Sequence, residues 1–262
     1  MSFLSHATRL LIRGRGVVYG TASYAFSMAM FVLFILFAIN HVGLLGYPSL
    51  NIDNLNGPPS EHPVLVNLLL LAPFALQHSI MARPAFKLAL SRLLPASWER
   101  ATYCLATGVV LLMLVQFWQP MSGQLWSVEQ PVLRGILTGT YYLGWVISLA
   151  ATFMLNHLHL FGLQQVFKVS DPDSGMKVFR TPMFYQLVRP PIQTGVVVSM
   201  LATPDMSLCR AMLALGMLAY VAVDLALKER DLVREFGDTY PDYKQRVPAV
   251  IPAHLAAIDV EL

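Results

Sequence analysis

The chain has 262 residues, of which 56% are hydrophobic and only 13% are charged. A soluble domain carries about 25% charged residues, so this composition argues against a soluble enzyme and indicates a protein whose surface faces lipid. The net charge is +3, but the sequence has no basic patch with interleaved aromatic residues, which argues against a nucleic-acid partner.

Six apolar runs divide the chain, and each is close to the ~20 residues that a helix needs to cross the hydrocarbon core. They lie at Tyr19–Val42, Val64–Met81, Ala101–Pro120, Arg134–Asn156, Leu187–Thr203 and Leu208–Leu227. The first run lacks a small-residue cleavage site and is interpreted as a retained span. The sequence predicts a single membrane domain over residues 1–262. Its fold class is an all-α helical bundle with about six transmembrane spans and a cytoplasmic helical tail over residues 228–262.

The 18 Lys and Arg residues are distributed unevenly over the segments between these runs. Sixteen of them lie on one side of a six-span arrangement, and only Arg134 and Arg210 lie on the other side. Cytoplasmic loops carry an excess of Lys and Arg. The split therefore predicts that both termini are cytoplasmic.

Polar residues close several of the runs at their cytoplasmic ends, at a depth where polar groups are costly and usually face the bundle interior. They include Gln77, His78, Asn156, His157, Arg189 and Glu229. This convergence indicates a site at the mouth of the bundle. Each residue also has a structural interpretation as an interhelical hydrogen-bonding group, an ion pair on a solvated helix face or a snorkelling anchor. Cys104 and Cys209 have no metal-ligand spacing, and we expect no metal site.

Three motifs in the C-terminal third resemble the isoprenylcysteine carboxyl methyltransferase superfamily of integral membrane methyltransferases. They read VRPPIQTG at Val188–Gly195, LKERDLV at Leu227–Val233 and FGDTYPDYKQRVP at Phe236–Pro248. This chain departs from the superfamily pattern at two positions. Pro190 stands where the pattern has His, and Lys228 stands where it has the first of two acidic residues.

Four further segments resemble the bacterial methanethiol S-methyltransferase family within that superfamily. They read LQHSIMARPAFK at Leu76–Lys87, RLLPASWERATY at Arg92–Tyr103, FWQP at Phe117–Pro120 and NHLHLFGLQQVF at Asn156–Phe167. The resemblance implies an enzyme of the bacterial inner membrane, surrounded by membrane lipid, that uses S-adenosylmethionine as cofactor. Its implied reaction is methylation of a small thiol, methanethiol, to dimethyl sulfide.

The resemblance and the charges together imply roles for the candidate residues. His157 or His78 is expected to take the thiol proton, because imidazole titrates near neutral pH, and Gln77 and Asn156 are expected to contact the acceptor. An Arg guanidinium matches the geometry of the carboxylate of S-adenosylmethionine, and tyrosine rings could stack on its adenine. The expected residues for binding this cofactor are Tyr185, Arg189, Glu229, Tyr240, Tyr243 and Arg246.

Three alternatives remain open from the sequence. The methyl acceptor could be another lipid-soluble group, such as an isoprenylcysteine carboxylate or a phospholipid amine. The LQHS segment and the later NH pair also resemble a membrane family linked to denitrification and carotene isomerisation, in which histidines hold haem. A non-enzymatic membrane subunit would be consistent with the departure at Pro190.

Overall fold

A computed structural model describes residues 2–54, 60–167 and 181–249, with the side chains of residues 2–13 excepted. The end of the predicted tail, residues 250–262, lies outside the described residues. The chain divides into two compact units, Met1–Met121 with Asn156–Met176 and Ser122–Leu155 with Lys177–Leu262. The single membrane domain inferred from the sequence stays a prediction.

The described residues are mainly helical and include two short strands. In chain order the elements are α1 (Ser2–Ala38), α2 (Pro63–Ile80), α3 (Pro84–Leu90), α4 (Glu99–Phe117), β1 (Gln124–Ser127), α5 (Pro131–Met154), α6 (His157–Leu160), α7 (Leu163–Phe167), α8 (Phe184–Leu187), α9 (Pro191–Leu201), β2 (Asp205–Ser207), α10 (Leu208–Phe236) and α11 (Thr239–Arg246). Short 3₁₀ helices lie at Val42–Leu45 and Ala96–Trp98.

Five helical segments among the described residues are long and apolar enough to cross a membrane. They are Gly14–Ala38 within α1, Pro63–Ile80 (α2), Ala96–Phe117 (which includes α4), Pro131–Met154 (α5) and Leu208–Phe236 (α10). Large apolar side chains such as Leu69 and Val146 are exposed on them, as expected for surfaces that face lipid. Helices satisfy their own backbone hydrogen bonds in hydrocarbon. The chain is an all-α integral membrane helical bundle, which confirms the predicted fold class.

Side-chain amides and small residues join the helices of the first unit. Gly108 of α4 lies against α1, where an added methyl group would meet the ring of Phe26 at 2.9 Å. The buried Asn67 of α2 donates to the Gln119 carbonyl and accepts from the Gln119 amide, both at 2.8 Å. These two hydrogen bonds satisfy the buried Asn67 amide and the backbone of Gln119. They hold α2 against the chain that follows the C-terminal end of α4.

The second unit is built on a close antiparallel contact between α5 and α9. Gly144 and Gly195 face each other across this contact, and an added methyl group on either one would collide with the other's carbonyl oxygen. The Ser199 hydroxyl donates to the Tyr141 carbonyl at 2.8 Å. Small residues allow membrane helices to approach closely enough for such contacts, so the contact fixes the position of α9.

Strands β1 and β2 pair antiparallel at one end of this unit. This end contains Arg134 and Arg210, the two cations that the charge distribution places opposite the other sixteen. Arg134 donates twice to Asp205, at 2.9 and 2.6 Å, and these bonds hold the pKa of the Asp205 carboxyl below its ordinary value. The guanidinium of the buried Arg210 lies 5.0 Å from the ring centroid of Tyr141. Each of these cations therefore has a structural contact at this end.

The fifth predicted span, Leu187–Thr203, contains a much shorter helix. Helix α9 has 11 residues, which at 1.5 Å per residue is about 16 Å and roughly half of the hydrocarbon thickness. Pro190 and Pro191 stand at its start, and Pro204 follows its end. Proline restricts both its own backbone and that of the residue before it, so the prolines limit the helix where apolar composition alone predicts a full span.

The tail continues α10 beyond its predicted end and then turns back. Helix α10 extends to Phe236 and stops at Gly237, whose φ of 55° lies in the left-handed region that favours glycine. Helix α11 then packs against the last turns of α10. The cluster consists of Tyr240, Tyr243 and Val247 with Leu232 and Phe236.

We expect Gly144→Val to destabilise the second unit. The added side chain has to displace Ser199 and the Gly195 carbonyl, and overpacking of this kind costs about 1–3 kcal/mol. Thermal unfolding of the detergent-solubilised protein should shift to lower temperature. Gly139→Val is the matched control on the same helix, because an added methyl group at Gly139 meets nothing within 4 Å. Equal unfolding temperatures for both variants would contradict the close α5–α9 contact.

Candidate active site

The structure divides the candidate residues between the two units. Gln77, His78, Asn156 and His157 belong to the first unit, and Tyr185, Arg189, Glu229, Tyr240, Tyr243 and Arg246 belong to the second. The convergence of all these residues on one site stays a prediction.

The His157 imidazole is buried and contacts α1. Its Nε2 lies 2.9 Å from the Tyr24 hydroxyl, and its ring lies 4.5 Å from that of Phe161 between centroids. Burial lowers the pKa of His157 below its ordinary value, because an apolar environment disfavours the charged imidazolium. The imidazole is therefore neutral at neutral pH and can accept a proton.

Asn156 begins the short helix α6 in a left-handed conformation with a φ of 69°. Its side-chain oxygen accepts from the His159 amide at 3.2 Å, and its amide group donates to Gln164 at 2.9 Å. Asn is among the residues that tolerate this conformation and cap a helix in this way. The turn of chain that it starts places His157 against α1.

An open groove of about 450 Å³ lies beside this turn. It is lined by Asn156, Leu158, Leu163, Gln164 and Phe167. Three of these five side chains are hydrocarbon, and the amides of Asn156 and Gln164 supply the polar groups. These two amides bond to each other at 2.9 Å, so the surface of the groove is mainly apolar.

Gln77 and His78 lie at the end of α2 and face α4. The Thr107 hydroxyl donates to Gln77 Oε1 at 3.3 Å and lies 3.5 Å from His78 Nδ1. The His78 ring stacks on Phe74 at 5.5 Å and tilts against Tyr103 at 5.0 Å between centroids. These contacts form a second polar group in an aromatic setting within the first unit.

Glu229 is the centre of the charged group in the second unit. Its Oε1 accepts from Arg189 at 2.5 Å and its Oε2 accepts from Lys244 at 2.6 Å. The Arg189 and Glu229 side chains are only 10% and 12% exposed, so each charge depends on the other for compensation. Through Glu229, the start of α9, the last part of α10 and α11 are held together.

Two of the three candidate tyrosines, Tyr240 and Tyr243, lie near this ion pair. Tyr240 and Tyr243 are buried, and the Tyr243 hydroxyl donates to the Tyr185 carbonyl at 2.5 Å. Burial and the Glu229 carboxylate raise the pKa of Tyr240, and burial raises the pKa of Tyr243 to about 12. The packing of Tyr240 and Tyr243 fixes α11, while stacking of any of these rings on adenine stays a prediction.

The two candidate arginines differ in their environment. Arg246 is exposed and its Nε donates to the Asp242 carbonyl of its own helix at 3.2 Å. The Nε atom of Arg189 is buried and has no hydrogen-bond partner among the residues that the structure describes. A buried donor without a partner is unusual in a native protein, and it is consistent with a guanidinium that binds an anionic ligand group.

Several contacts of the candidate site join residues that are far apart in the sequence. Tyr24 bonds to His157, Thr107 to Gln77, and Lys244 to Glu229. Tyr24 and Thr107 lie inside apolar runs, where a single hydroxyl gives no sequence signal. Lys244 lies in the predicted tail motif, and its charge is the only hint of a carboxylate partner. Within the described part of the chain, no three His, Cys, Asp or Glu side chains group as metal ligands.

The fold defines a multi-pass membrane protein, with a cluster of charged and aromatic side chains near the end of its last span. Comparison with known proteins identifies its relatives. Methanethiol S-methyltransferase 2 of Bradyrhizobium diazoefficiens is 39% identical over 239 residues, which are 90% of this chain and 89% of that protein. Methanethiol S-methyltransferase of Mycobacterium tuberculosis is 39% identical over 237 residues, which are 90% of this chain and 95% of that protein.

A third relative, methanethiol S-methyltransferase of a Pseudomonas species, is 37% identical over 234 residues, which are 88% of this chain and 90% of that protein. No family model and no solved structure matches the chain. The chain belongs to the methanethiol S-methyltransferase family. This confirms the resemblance drawn from its motifs, and the protein is an integral membrane thiol S-methyltransferase.

We expect Glu229→Gln to release the tail helix. The amide removes the charge that compensates Arg189 and Lys244, and breaking a nearly buried ion pair costs about 3–5 kcal/mol. Limited trypsin digestion in detergent should cut after Lys244 or Arg246 at least about tenfold faster, since local opening exposes these bonds. Asp238→Asn is the control, because Asp238 is exposed and makes no capping bond to α11. Unchanged digestion of the Glu229 variant would contradict this role of the carboxylate.

Proposed function

We propose that the protein transfers a methyl group from S-adenosylmethionine to methanethiol and releases dimethyl sulfide. The observation that carries this proposal is 37–39% identity to methanethiol S-methyltransferases over about nine-tenths of the chain. The protein acts in the bacterial inner membrane with both termini in the cytoplasm. Methanethiol is small and apolar and partitions into lipid, while the polar methyl donor arrives from the cytosol.

The residues of the second unit fit S-adenosylmethionine by their chemistry. Arg189 would hold its carboxylate, a pairing that the guanidinium fork favours, and the partnerless Nε of Arg189 supports this assignment. Glu229 would accept from a hydroxyl or amino group, Arg246 would add positive charge at the cytoplasmic surface, and Tyr185, Tyr240 and Tyr243 would enclose the adenine. When bound, this cofactor supplies an electrophilic methyl group on a sulfonium, which a thiolate sulfur attacks.

The residues of the first unit would serve the methyl acceptor. The thiolate is the nucleophilic form of a thiol, so a neutral base near the sulfur favours the reaction. His157 is buried, has a lowered pKa and bonds to Tyr24, and this bond orients its ring. His157 would accept the thiol proton, with Gln77, His78 and Asn156 as the polar contacts of an otherwise apolar acceptor site.

We expect purified protein to convert methyl-labelled S-adenosylmethionine and methanethiol into labelled dimethyl sulfide, measured in the headspace. His157→Gln should lower the turnover number by ~10²–10⁴-fold, the usual contribution of general acid–base catalysis. The wild-type rate should fall as the pH drops below the ordinary imidazole value of about 6.5, because protonation of His157 removes the base. That acidic limb should be absent from the variant.

His78→Gln separates the two histidine candidates in the same assay, and His62→Gln on an exposed loop is the control. A loss of less than about threefold for His157→Gln would assign this histidine a structural role, since it would fall below the range of general acid–base catalysis. Labelled product from a longer thiol or a lipid, but not from methanethiol, would replace the proposed acceptor. A Soret band in the purified protein would support the haem alternative.

We expect cysteine labelling to establish the proposed orientation. Glu61→Cys should react with a membrane-impermeant maleimide added to intact spheroplasts, and Ser91→Cys should react only after the membrane is opened. Both positions are exposed, and the native Cys104 and Cys209 are buried, which keeps the background low. Labelling of both variants from the same side would contradict the assignment made from the positive-inside rule.

A further inference from the structure

Asp224 is a buried carboxylate in the last membrane-spanning helix. It lies in α10 and is 1% exposed. Removing a charge from water costs several kcal/mol in a real protein, and a well-packed apolar residue at the same place is often equally stable or more stable. An ionisable side chain inside a membrane bundle is therefore a candidate for function.

Two side chains contact the same oxygen of this carboxylate. The Lys228 ammonium lies 2.6 Å from Oδ2, and the Gln193 amide group donates to Oδ2 at 3.2 Å. The Lys228 side chain is 43% exposed, so its ammonium lies at the border of the buried region. Because a lysine stem is long and flexible, this ammonium can move into solvent without a change in the helix.

The contact between Gln193 and Asp224 follows directly after the contact between Arg189 and Glu229. Both join the segment at the start of α9 to α10, and the two α10 positions are five residues apart, which is roughly 7 Å along a helix. Between the two contacts stand Pro190 and Pro191, which have no backbone N–H to offer a ligand. At these two positions, side chains of neighbouring residues have to supply any contact with a ligand.

The position of the acidic residues explains one departure from the superfamily pattern. Lys228 stands where the pattern has the first of two acidic residues, and Glu229 keeps the second. Asp224 lies four residues before Lys228, on the same face of α10, and the lysine bonds to it. This chain thus has a buried carboxylate on α10 one turn before the position of the missing acidic residue.

We propose that Asp224 is a second ionic contact of the methyl-donor site, which binds a cationic group of S-adenosylmethionine while Arg189 binds the carboxylate. The inference rests on the proposed function. Lys228 pairs with the carboxylate in the free protein and yields its place to the ligand cation, and Gln193 holds the carboxylate in position. The ligand carries two cations, the ammonium and the sulfonium, and both have the chemistry that Asp224 recognises.

Isothermal titration of the full-length protein in nanodiscs with S-adenosylmethionine and S-adenosylhomocysteine tests the inference. We expect Asp224→Asn to weaken binding at least about tenfold, as loss of a charge-assisted contact does. Weakening of both ligands identifies the ammonium, and weakening of S-adenosylmethionine alone identifies the sulfonium, which S-adenosylhomocysteine lacks. In the activity assay the variant should raise KM for S-adenosylmethionine more than KM for methanethiol.

Asp231→Asn on the same helix is the control and should leave both affinities unchanged. An Asp224→Asn variant that folds and binds both ligands as the wild type does would overturn the inference, while failure of the wild type to bind either ligand would overturn the proposed function instead. If Asp224→Asn does not fold, the same titration of the Lys228→Met variant tests the inference. Tighter binding of S-adenosylmethionine supports a ligand-binding Asp224, because the ligand cation no longer has to displace the lysine. Equal or weaker binding overturns it, because a purely structural ion pair gains nothing from loss of the lysine.

Discussion

The ion pair between Arg189 and Glu229 is the interaction on which the arrangement of the second unit depends. Both side chains are nearly buried, so neither charge has water to replace its partner. Lys244 shares the same carboxylate, and the Arg189 amide donates to the Pro248 carbonyl at 3.0 Å. One carboxylate therefore sets the position of the start of α9, the end of α10 and the returning tail.

The lipid environment explains why this charged group needs a rigid support. Hydrocarbon offers no hydrogen bonds, so helices in a bilayer are joined by close packing and by a few polar contacts. For α9, the contact of Gly144 with Gly195 provides the close packing, and the bond from Ser199 to Tyr141 provides a polar contact. A helix of only 11 residues is thus fixed well enough to hold Arg189 at its start.

Much of the fold follows from the sequence, because the length of an apolar run is a local signal. The shortness of α9 could not be predicted from apolar composition. The prolines around it limit the helix through backbone conformation, while the whole run Leu187–Thr203 stays apolar. The candidate groups Arg189, Glu229 and the tail tyrosines come from motif resemblance, and the structure brings them together. The partner of His157 is hidden from the sequence, because the bond to Tyr24 spans 133 positions. The sequence alone does not show that Asp224 is buried, and burial is the observation that makes this residue a candidate.

The proposed mechanism requires that the charged group on Arg189, Glu229 and the tail helix binds the methyl donor. Ultraviolet cross-linking of radiolabelled S-adenosylmethionine to the purified protein, followed by peptide mapping, tests it directly. We expect the label on peptides covering residues 184–201 and 224–249, and we expect excess unlabelled S-adenosylhomocysteine to prevent labelling. Competable label confined to peptides of α1–α4 would contradict it.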